Sequence, residues 1–329
     1  MKRIIAIVAG GDSSEHDVSL RSAQGIYSFM NKDKYDCYIV ELKGTDWNAI
    51  FEDGSKKPVD KNDFSFETAA GRIRPDFAYI TIHGTPGENG RVQGYLDMLR
   101  IPYSTSGVLV EALTFNKFCL NQYLKSWGVR VAENLLLRHG QEAAIQDKDI
   151  IAKVGLPCFV KPNADGSSFG VSRVNTIEEL RPAIDKASIQ GGDTLIESFL
   201  EGTEITCGCY KTKQASHVFP ITEVVTSNTF FDYEAKYNGA SQEITPARIA
   251  EETATRVSQL TSAIYDILGC EGIIRIDYIL SGEKGKEQIN LLEVNTTPGM
   301  TTASFIPQQV RAAGLEMGDV LSDIIENKF

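Results

Sequence analysis

The sequence has few of the features that would place it in a membrane or on nucleic acid. Its apolar runs are all shorter than the roughly 20 residues that a membrane-spanning helix needs. Its charge is acidic, with 44 Asp and Glu against 33 Lys and Arg. An acidic chain disfavours a nucleic-acid or anionic-membrane surface, because such partners select basic patches. A local basic site for phosphate groups is still compatible with this composition.

Cysteine is scarce and poorly arranged for zinc or disulfides. The six cysteines include no C-x-x-C pair, and most lie inside apolar runs such as GLPCFV. Reduced, buried thiols are therefore the favoured interpretation, and we expect a cytoplasmic protein. The N-terminal MKRIIAIVAGG begins like a secretory signal, but its apolar run is short and passes into GDSSEHD without a cleavage pattern.

Apolar periodicity predicts an N-terminal α/β region. In the first hundred residues the strand-like segments RIIAIVAGG, YDCYIVEL and PDFAYITIHG alternate with the helix-like VSLRSAQGIYSFM. Alternation of this kind predicts a parallel α/β layer. With 329 residues, of which 42% are hydrophobic, the chain can bury sizeable cores and fill two or three domains.

The rest of the chain predicts a mixed α+β region in which strands come to dominate. The segment NKFCLNQYLKSWG predicts a helix that stops at Gly128. The apolar face of this helix would consist of Leu120, Tyr123, Leu124 and Trp127. Apolar residues at helical spacing predict two further helices, one with Val257, Leu260, Ile264 and Ile267 and a final one with Met317, Leu321 and Ile324.

The stretch FVKPNADGSSFGVSRV predicts a phosphate-binding loop between two strands. Lys161 ends an apolar strand, and the loop offers the hydroxyl groups of Ser167 and Ser168 beside Gly166. One positive charge and inward-turning backbone N–H groups suit a phosphate group, although the spacing is not that of a Walker A loop. A plain hairpin with a surface lysine would explain the same residues. For Lys117, taken alone, a solvated charge is the simpler interpretation.

Two acids occur in an apolar hairpin, where an unpaired carboxylate is costly. In RIDYILSGEKGKEQINLLEVNTTPG, Asp277 lies in the first strand and Glu293 in the second. By the period-two rule, Glu293 and Asn295 share one face, as do Arg275 and Asp277. Their oxygens suit Mg²⁺ beside substrate phosphates, and Arg275 suits developing negative charge. A structural Arg–Glu pair is the alternative, but it leaves Asn295 unexplained.

Long motifs in a fixed order cover almost the entire chain. They are GGDSSEHDVSL, HGTPGENGRVQGYLDMLRIPYSTSG, FNK, VKPNADGSSFGVS, IESFLEGTEITCG, FDYEAKY, RIDY and LLEVNTTPGMTTASFIPQ. Together they resemble the D-alanine–D-alanine ligase family of ATP-grasp enzymes. The resemblance implies an α/β class ATP-grasp fold with a Rossmann-like N-terminal domain. It also implies ligation of two D-alanines through an acyl phosphate, with release of ADP and phosphate, for peptidoglycan precursor synthesis.

The resemblance implies a nucleotide site with two Mg²⁺ ions, for which Mn²⁺ could substitute. The residues that would contact ATP, through its phosphates or its adenosine, are Lys117, Lys161, Glu197, Glu204 and Lys236. Lys236 would reach the transferred phosphoryl group from a lid. The metal ligands would be Asp277, Glu293 and Asn295.

The resemblance also implies sites for both amino acids. The catalytic set would comprise Glu15, His83, Ser167, Tyr237, Arg275, Gly299 and Ser304. Glu15 would take the ammonium of the first D-alanine, with Ser167 and Tyr237 completing a hydrogen-bonded trio. Arg275 and the backbone N–H of Gly299 would stabilise the oxyanion. Ser304 would bind the carboxylate of the second D-alanine, and His83 would lie beside the first.

We expect three domains and, from the resemblance, a homodimer. The domains would be 1–104 on the first-substrate side, 105–194 with the phosphate-binding loop, and 195–329 with the metal site. The polar, aromatic stretch 226–247 is long for a turn and predicts a closing lid. Two departures from the family pattern, GENG for GEDG and DGSS for EGSS, remove no proposed ligand. Tyr237 favours a dipeptide product over an ester.

Two other classes of protein stay open at this point. A dinucleotide-dependent oxidoreductase would use the N-terminal layer, with Gly10, Gly11 and Glu41, but GGDSSE lacks the G-x-G-x-x-G spacing. A catalytically silent nucleotide-binding protein would share the fold, although all the proposed catalytic positions are occupied. ATP binding without turnover would identify that class.

Overall fold

The computed structural model describes residues 2–164, 170–189, 192–226 and 241–329. Ser167, Lys236 and Tyr237 lie outside these ranges, as does most of the predicted lid. The described α-helices are α1 (His16–Phe29), α2 (Arg91–Leu99), α3 (Val108–Phe115), α4 (Lys117–Ser126), α5 (Asp147–Val154), α6 (Leu180–Ser188), α7 (Glu251–Leu268), α8 (Phe305–Ala312) and α9 (Met317–Glu326). Single turns of 3₁₀-helix occur at Glu142–Ala144 and Ile177–Glu179.

The N-terminal region is built on a five-stranded sheet. Its strands are β1 (Arg3–Gly10), β2 (Tyr35–Lys43), β3 (Asp46–Ile50), β4 (Lys56–Pro58) and β7 (Phe77–Ile80), and a separate pair is β5 (Phe66–Thr68) with β6 (Gly71–Ile73). The order is β4-β3-β2-β1-β7, and β1 pairs parallel with both β2 and β7. The predicted parallel layer is confirmed for these three strands. β3 is antiparallel to β2, and β4 is antiparallel to β3. The two-residue connection between β2 and β3, after Lys43, can join only antiparallel neighbours.

The other two sheets are antiparallel. The central sheet contains β8 (Asn134–Leu137), β9 (Cys158–Pro162), β10 (Ser172–Val174) and β11 (Thr194–Ser198), in the order β10-β9-β11-β8. The C-terminal sheet contains β12 (Thr203–Lys211), β13 (Ser216–Val218), β14 (Thr222–Thr226), β15 (Ser241–Ile244), β16 (Ile274–Ser281) and β17 (Gln288–Asn295). Its order is β15-β14-β12-β16-β17, with β13 beside β12. The predicted acidic hairpin is β16–β17.

Helix α4 corrects one of the predicted apolar faces. Leu120 and Leu124 are buried as predicted, but Trp127 is 59% exposed and Tyr123 is also exposed. The helix ends at Ser126, so Trp127 lies beyond it and helical spacing does not fix its direction. The rings of Tyr123 and Trp127 pack against each other with centroids 6.4 Å apart. The apolar residues predicted for α7 and α9 do pack into the cores.

One hydrophobic core joins the N-terminal sheet to the C-terminal helices. Ile7 of β1 and Ile26 of α1 belong to the same cluster as Val310 of α8 and Leu321 of α9. Full burial of each such side chain contributes about 1.5–3 kcal/mol. Helix α1 lies so close to the loop before α8 that a Cβ on Gly25 would be 2.3 Å from the Met300 carbonyl oxygen. The N-terminal sheet and helix α1 therefore pack against the C-terminal helices α8 and α9 around a shared core.

A buried acid connects α3 to the end of β17. Glu111 is fully buried, and Thr296 Oγ1 donates a hydrogen bond to its Oε2 at 2.6 Å. Burial raises the pKa of Glu111 well above its ordinary value, and the nearby Glu88 adds to the rise, whereas the Thr296 hydrogen bond lowers it. Burial therefore favours the neutral carboxylic acid form of Glu111 in the folded protein.

We expect Glu111→Gln to stabilise the protein at high pH relative to low pH. Since the folded-state pKa is raised, the wild type takes up a proton on folding, and its stability falls as pH rises above about 4.3, the unfolded value, toward the folded value. The glutamine removes this loss, which amounts to at most about 1.4 kcal/mol per pH unit. Urea unfolding at pH 5 and pH 8 measures the difference, with the exposed Glu67→Gln as control. Equal effects at both pH values would contradict a neutral Glu111.

Candidate active site

A cavity of about 1250 Å³ is lined by residues from the N-terminal, central and C-terminal regions. Every site residue that the sequence predicts within the described ranges lines this cavity: Glu15, His83, Lys117, Lys161, Glu197, Glu204, Arg275, Asp277, Glu293, Asn295, Gly299 and Ser304. These residues are up to 289 positions apart in sequence, between Glu15 and Ser304. The fold therefore brings together residues of one predicted site.

The acidic hairpin presents four polar side chains to the cavity. Asp277 is the cross-strand partner of Glu293, and Arg275 is the partner of Asn295. Direct partners point to the same face of a sheet. Arg275 donates two hydrogen bonds to Asp277, from Nε to Oδ1 at 2.9 Å and from Nη2 to Oδ2 at 2.8 Å. The sequence left open a structural Arg–Glu ion pair. The pair in the structure is instead Arg275–Asp277.

Arg275 keeps its positive charge in spite of its burial. Burial alone would lower the pKa of its guanidinium, but the charges of Asp277 and Glu293 and the hydrogen bonds to Asp277 hold that pKa above its usual range. The guanidinium also lies 5.3 Å from the centroid of the Phe305 ring. The hairpin therefore supplies a fixed cation at the cavity wall.

Lys161 and Glu197 form a nearly buried ion pair between β9 and β11. Lys161 Nζ contacts Glu197 Oε2, and Asn121 Nδ2 donates to Oε1 of the same carboxylate at 2.8 Å. The two side chains are only 11% and 7% exposed, and salt screens such a pair much less than a surface pair. A lysine is therefore present at the strand end where the sequence predicts it, already paired with an acid.

A second lysine lies close to this pair. Lys117 starts α4, where Asn116 caps the helix by accepting a hydrogen bond from Cys119 N–H. Burial lowers the pKa of Lys117; Glu293 opposes this effect and Lys161 reinforces it. Two neighbouring buried cations favour a polyanionic ligand, because its charge would relieve both burial and mutual repulsion.

The N-terminal side of the cavity contains Glu15 and His83. The Glu15 N–H donates to Ser13 Oγ at 3.2 Å, and the Ser13 hydroxyl donates to the His83 carbonyl at 2.7 Å. The His83 ring is buried, with Nε2 3.3 Å from Ser22 Oγ. Burial lowers the pKa of His83, and Glu15 only partly opposes this effect. At neutral pH the His83 imidazole that lines the cavity is therefore uncharged.

Gly299 and Ser304 lie in the loop between β17 and α8. Ser304 Oγ accepts a hydrogen bond from Thr301 N–H at 3.1 Å and lies 2.8 Å from Thr301 Oγ1. A Cβ on Gly299 would be 3.0 Å from Ser304 Oγ, so the glycine allows the loop to fold tightly. Hydroxyl groups beside a helix start are suited to an anionic group such as a carboxylate.

Glu88 and Glu243 line the cavity but are absent from the residues that the sequence predicts. Burial raises the pKa of Glu88 to about 7, with a further contribution from Glu15, while Gly84 N–H donates to its Oε2 at 2.7 Å. The position of Glu88 inside the motif HGTPGENG was the signal that could have identified it. Glu243 lies in the stretch predicted as a lid, where no motif singled it out.

The donor chemistry at the hairpin fits a hard cation in part. Among the residues that the structure describes, no three His, Cys, Asp or Glu side chains are grouped as metal ligands. The two carboxylates of Asp277 and Glu293 suit Mg²⁺ when substrate phosphates supply the other oxygens. Asn295 Nδ2 donates to Asp277 Oδ2 at 3.1 Å, so its amide must rotate to offer the oxygen to a cation.

Residues outside the cavity bear on three further predictions from the sequence. All six cysteines are free thiols, four of them buried. In the described part of the chain, no helix combines the length and the apolar character of a membrane span. Glu41, which an oxidoreductase would need for a ribose, is instead bound by Lys56 and His16.

Comparison with known proteins identifies the family. The model for the D-ala D-ala ligase N-terminus matches residues 4–106, and the model for the D-ala D-ala ligase C-terminus matches residues 123–326. The chain is 66% identical over 330 residues to the D-alanine–D-alanine ligase of Bacteroides fragilis, with 100% of both chains covered. It is 49% identical over 326 residues to that of Porphyromonas gingivalis, covering 99% of this chain and 98% of the relative.

Solved structures have the same fold. The D-Ala:D-Ser ligase VanG from Enterococcus faecalis matches with a TM-score of 0.88 at 28% identity and covers 100% of both chains. D-alanyl-alanine synthetase A from Vibrio cholerae matches at 0.87 and 28%, covering 99% and 98%. A Bacillus anthracis D-alanine–D-alanine ligase complexed with ATP matches at 0.78 and 27%, covering 99% and 97%. With two family models and full-length relatives in agreement, the chain belongs to the D-alanine–D-alanine ligase family of ATP-grasp enzymes.

Proposed function

We propose that this protein joins two molecules of D-alanine into D-alanyl-D-alanine, with ATP converted to ADP and phosphate, for peptidoglycan precursor synthesis. The cavity is the observation that carries the proposal, because paired lysines, an acidic hairpin and a hydroxyl-rich loop all line it. The full-length relatives named for this activity support it, and so does the structural neighbour solved with ATP.

The reaction begins with activation of the first carboxylate. A carboxylate is a poor electrophile, so transfer of the γ-phosphoryl group converts it into an acyl phosphate. Lys117 and Lys161 would hold the phosphates and offset the charge repulsion of that transfer. Glu197 and Glu204 would face the adenosine, and Lys236 would reach the transferred group. The Lys161–Glu197 ion pair supports this assignment, because it holds Glu197 beside a lysine suited to phosphate.

Mg²⁺ is part of the proposal. Asp277, Glu293 and Asn295 would hold the ions together with phosphate oxygens, and Mn²⁺ could replace Mg²⁺. The ions would neutralise charge on the phosphates during transfer. For this chain the essential feature is that Asp277 and Glu293 are cross-strand partners on the cavity face.

The amino acids would occupy the other side of the cavity. Glu15 would accept the ammonium of the first D-alanine, in a trio with Ser167 and Tyr237, next to the uncharged His83. Ser304 would bind the carboxylate of the second D-alanine. Arg275 and the Gly299 N–H would stabilise the oxyanion that forms when the second amine attacks.

Three coarser features complete the proposal. We retain three domains, with the second boundary moved from residue 194 to after Ser198, because β11 pairs with β8 and β9 of the central sheet. We also retain the homodimer and the cytoplasmic location. Light scattering on the purified protein at several concentrations tests the dimer.

The activity is tested by incubation with ATP, Mg²⁺ and D-alanine, followed by measurement of phosphate and product mass together. D-Alanyl-D-alanine formed in equal amount with ADP is the expected result. D-Serine and D-lactate serve as competing second substrates. Phosphate released only with another partner would change the substrate assignment. ATP binding without any turnover would identify the catalytically silent class.

Arg275→Ala should leave ATP binding nearly intact and lower kcat on the order of a hundredfold or more, because it removes an oxyanion donor. Steady-state kinetics and nucleotide titration measure the two effects. Arg130→Ala is the matched control, since Arg130 is an exposed arginine that contacts Gln288 beside the same hairpin. An unchanged kcat would remove Arg275 from the mechanism.

Glu293→Gln should raise the Mg²⁺ concentration needed for half-maximal activity by roughly tenfold or more. The amide keeps the size of the side chain but loses the charge that attracts the cation. Mn²⁺ binding followed by electron paramagnetic resonance gives a readout that does not depend on turnover. Glu283→Gln, in the exposed turn of the same hairpin, is the control. Equal metal requirements in all three proteins would exclude Glu293 as a ligand.

A further inference from the structure

Glu243 is a cavity carboxylate to which the proposed reaction has so far assigned no role. It lies in β15 opposite Val224 of β14 and lines the cavity. Gln308 Nε2 donates to its Oε2 at 2.5 Å and also donates to the Ala303 carbonyl at 2.7 Å. A single amide from α8 thus holds the carboxylate beside the loop that ends at Ser304.

Two features of the site define where the second amino acid must lie. Under the proposed function its carboxylate is at Ser304, and its nitrogen must reach the carbonyl carbon whose oxygen faces Arg275. Glu243 is linked to the first point, because Gln308 connects it to Ala303. At the second point, Arg275 lines the same cavity as Glu243, and its charge lowers the pKa of that carboxyl. The carboxylate of Glu243 therefore lines the same cavity as Ser304 and Arg275, between which the second amino acid would lie.

We propose that Glu243 is the general base for the ligation step, an inference that rests on the proposed function. The second D-alanine arrives with an ammonium group, which has no lone pair for attack. One N–H proton moves to the Glu243 carboxylate, and the freed electron pair forms the C–N bond to the acyl phosphate carbon. The C–O bond to phosphate then breaks, and phosphate leaves with the electrons of that bond and takes up the second N–H proton, so that a neutral amide is formed.

The surroundings of Glu243 are suited to this role. Burial raises its pKa, while the hydrogen bond from Gln308 and the charge of Arg275 lower it. A carboxylate whose pKa is moved toward the operating pH is a stronger base and can still be ionised. On the adjacent strand β14, Glu223 is ion-paired with Arg248. The residue of α8 that contacts Glu243 is Gln308, which carries no charge.

Two variants separate a base from a positioning residue. Glu243→Gln can still accept the hydrogen bond from Gln308 but cannot take up a proton, whereas Gln308→Leu removes the hydrogen bond and keeps the carboxylate. We expect Glu243→Gln to lower the rate of dipeptide formation on the order of a hundredfold or more, and Gln308→Leu to lower it much less. Gln242→Ala, at the exposed neighbouring position, is the control.

Three readouts locate the affected step. Positional isotope exchange in bridge-labelled ATP with D-alanine reports acyl phosphate formation, and it should persist in Glu243→Gln. Hydroxylamine is mostly uncharged at neutral pH and needs no base, so it should trap the acyl phosphate equally fast in variant and wild type. The fall in wild-type ligation rate at low pH should be absent from the variant.

Several outcomes would overturn the inference. An unchanged ligation rate in Glu243→Gln would exclude the base. Equal losses in Glu243→Gln and Gln308→Leu, or a loss that hydroxylamine does not bypass, would make Glu243 a positioning residue. These results leave the proposed function intact as long as the wild type makes D-alanyl-D-alanine. A wild type that forms no dipeptide overturns the proposed function and this inference together.

Discussion

The buried ion pair between Arg275 and Asp277 is the interaction on which the site depends. Removing two charges from water costs several kcal/mol per ion, and their attraction offsets this only when the geometry is good. Here Arg275 donates two hydrogen bonds to Asp277 on the same face of β16. Asn295 donates a further hydrogen bond to the same carboxylate. An apolar pair of similar volume is often equally stable. The value of the pair therefore lies in the charges that it presents to the cavity.

The same arrangement recurs across the cavity, where Lys161 is paired with Glu197. In both pairs a cation and an acid hold each other before any ligand is bound. Under the proposed function, a phosphate would replace Glu197 as the partner of Lys161, and a cation would replace Arg275 as the partner of Asp277. Such an exchange avoids leaving a buried charge uncompensated at any stage, which would cost about 3–5 kcal/mol.

Much of this could be predicted from sequence, for reasons that differ between elements. Period-two alternation predicted the shared faces of Arg275 with Asp277 and of Glu293 with Asn295, although the register shifts between Asp277 and Tyr278. Long motifs identified residues far apart in the chain that line one cavity. Helical spacing failed for Trp127, because the helix ends one residue earlier. The Arg275–Asp277 pairing and the role of Gln308 depend on side-chain geometry between elements, which no local pattern encodes. Glu243 could not be recognised because the residue that holds its carboxylate, Gln308, lies in α8, more than 60 residues away in sequence.

The packing of the N-terminal sheet and helix α1 against the C-terminal helices also sets the charge of the cavity around Glu15. Ser22 of α1 lies between the His83 ring and Met300 N–H, so the middle of α1, the histidine and the loop before α8 are held together. Burial lowers the pKa of His83 and raises that of Glu88 to about 7. Both groups are thereby moved toward their neutral forms near Glu15. Under the proposed function, Glu15 would supply the carboxylate for an amino acid's ammonium, and the amino acid's own carboxylate would be left for activation.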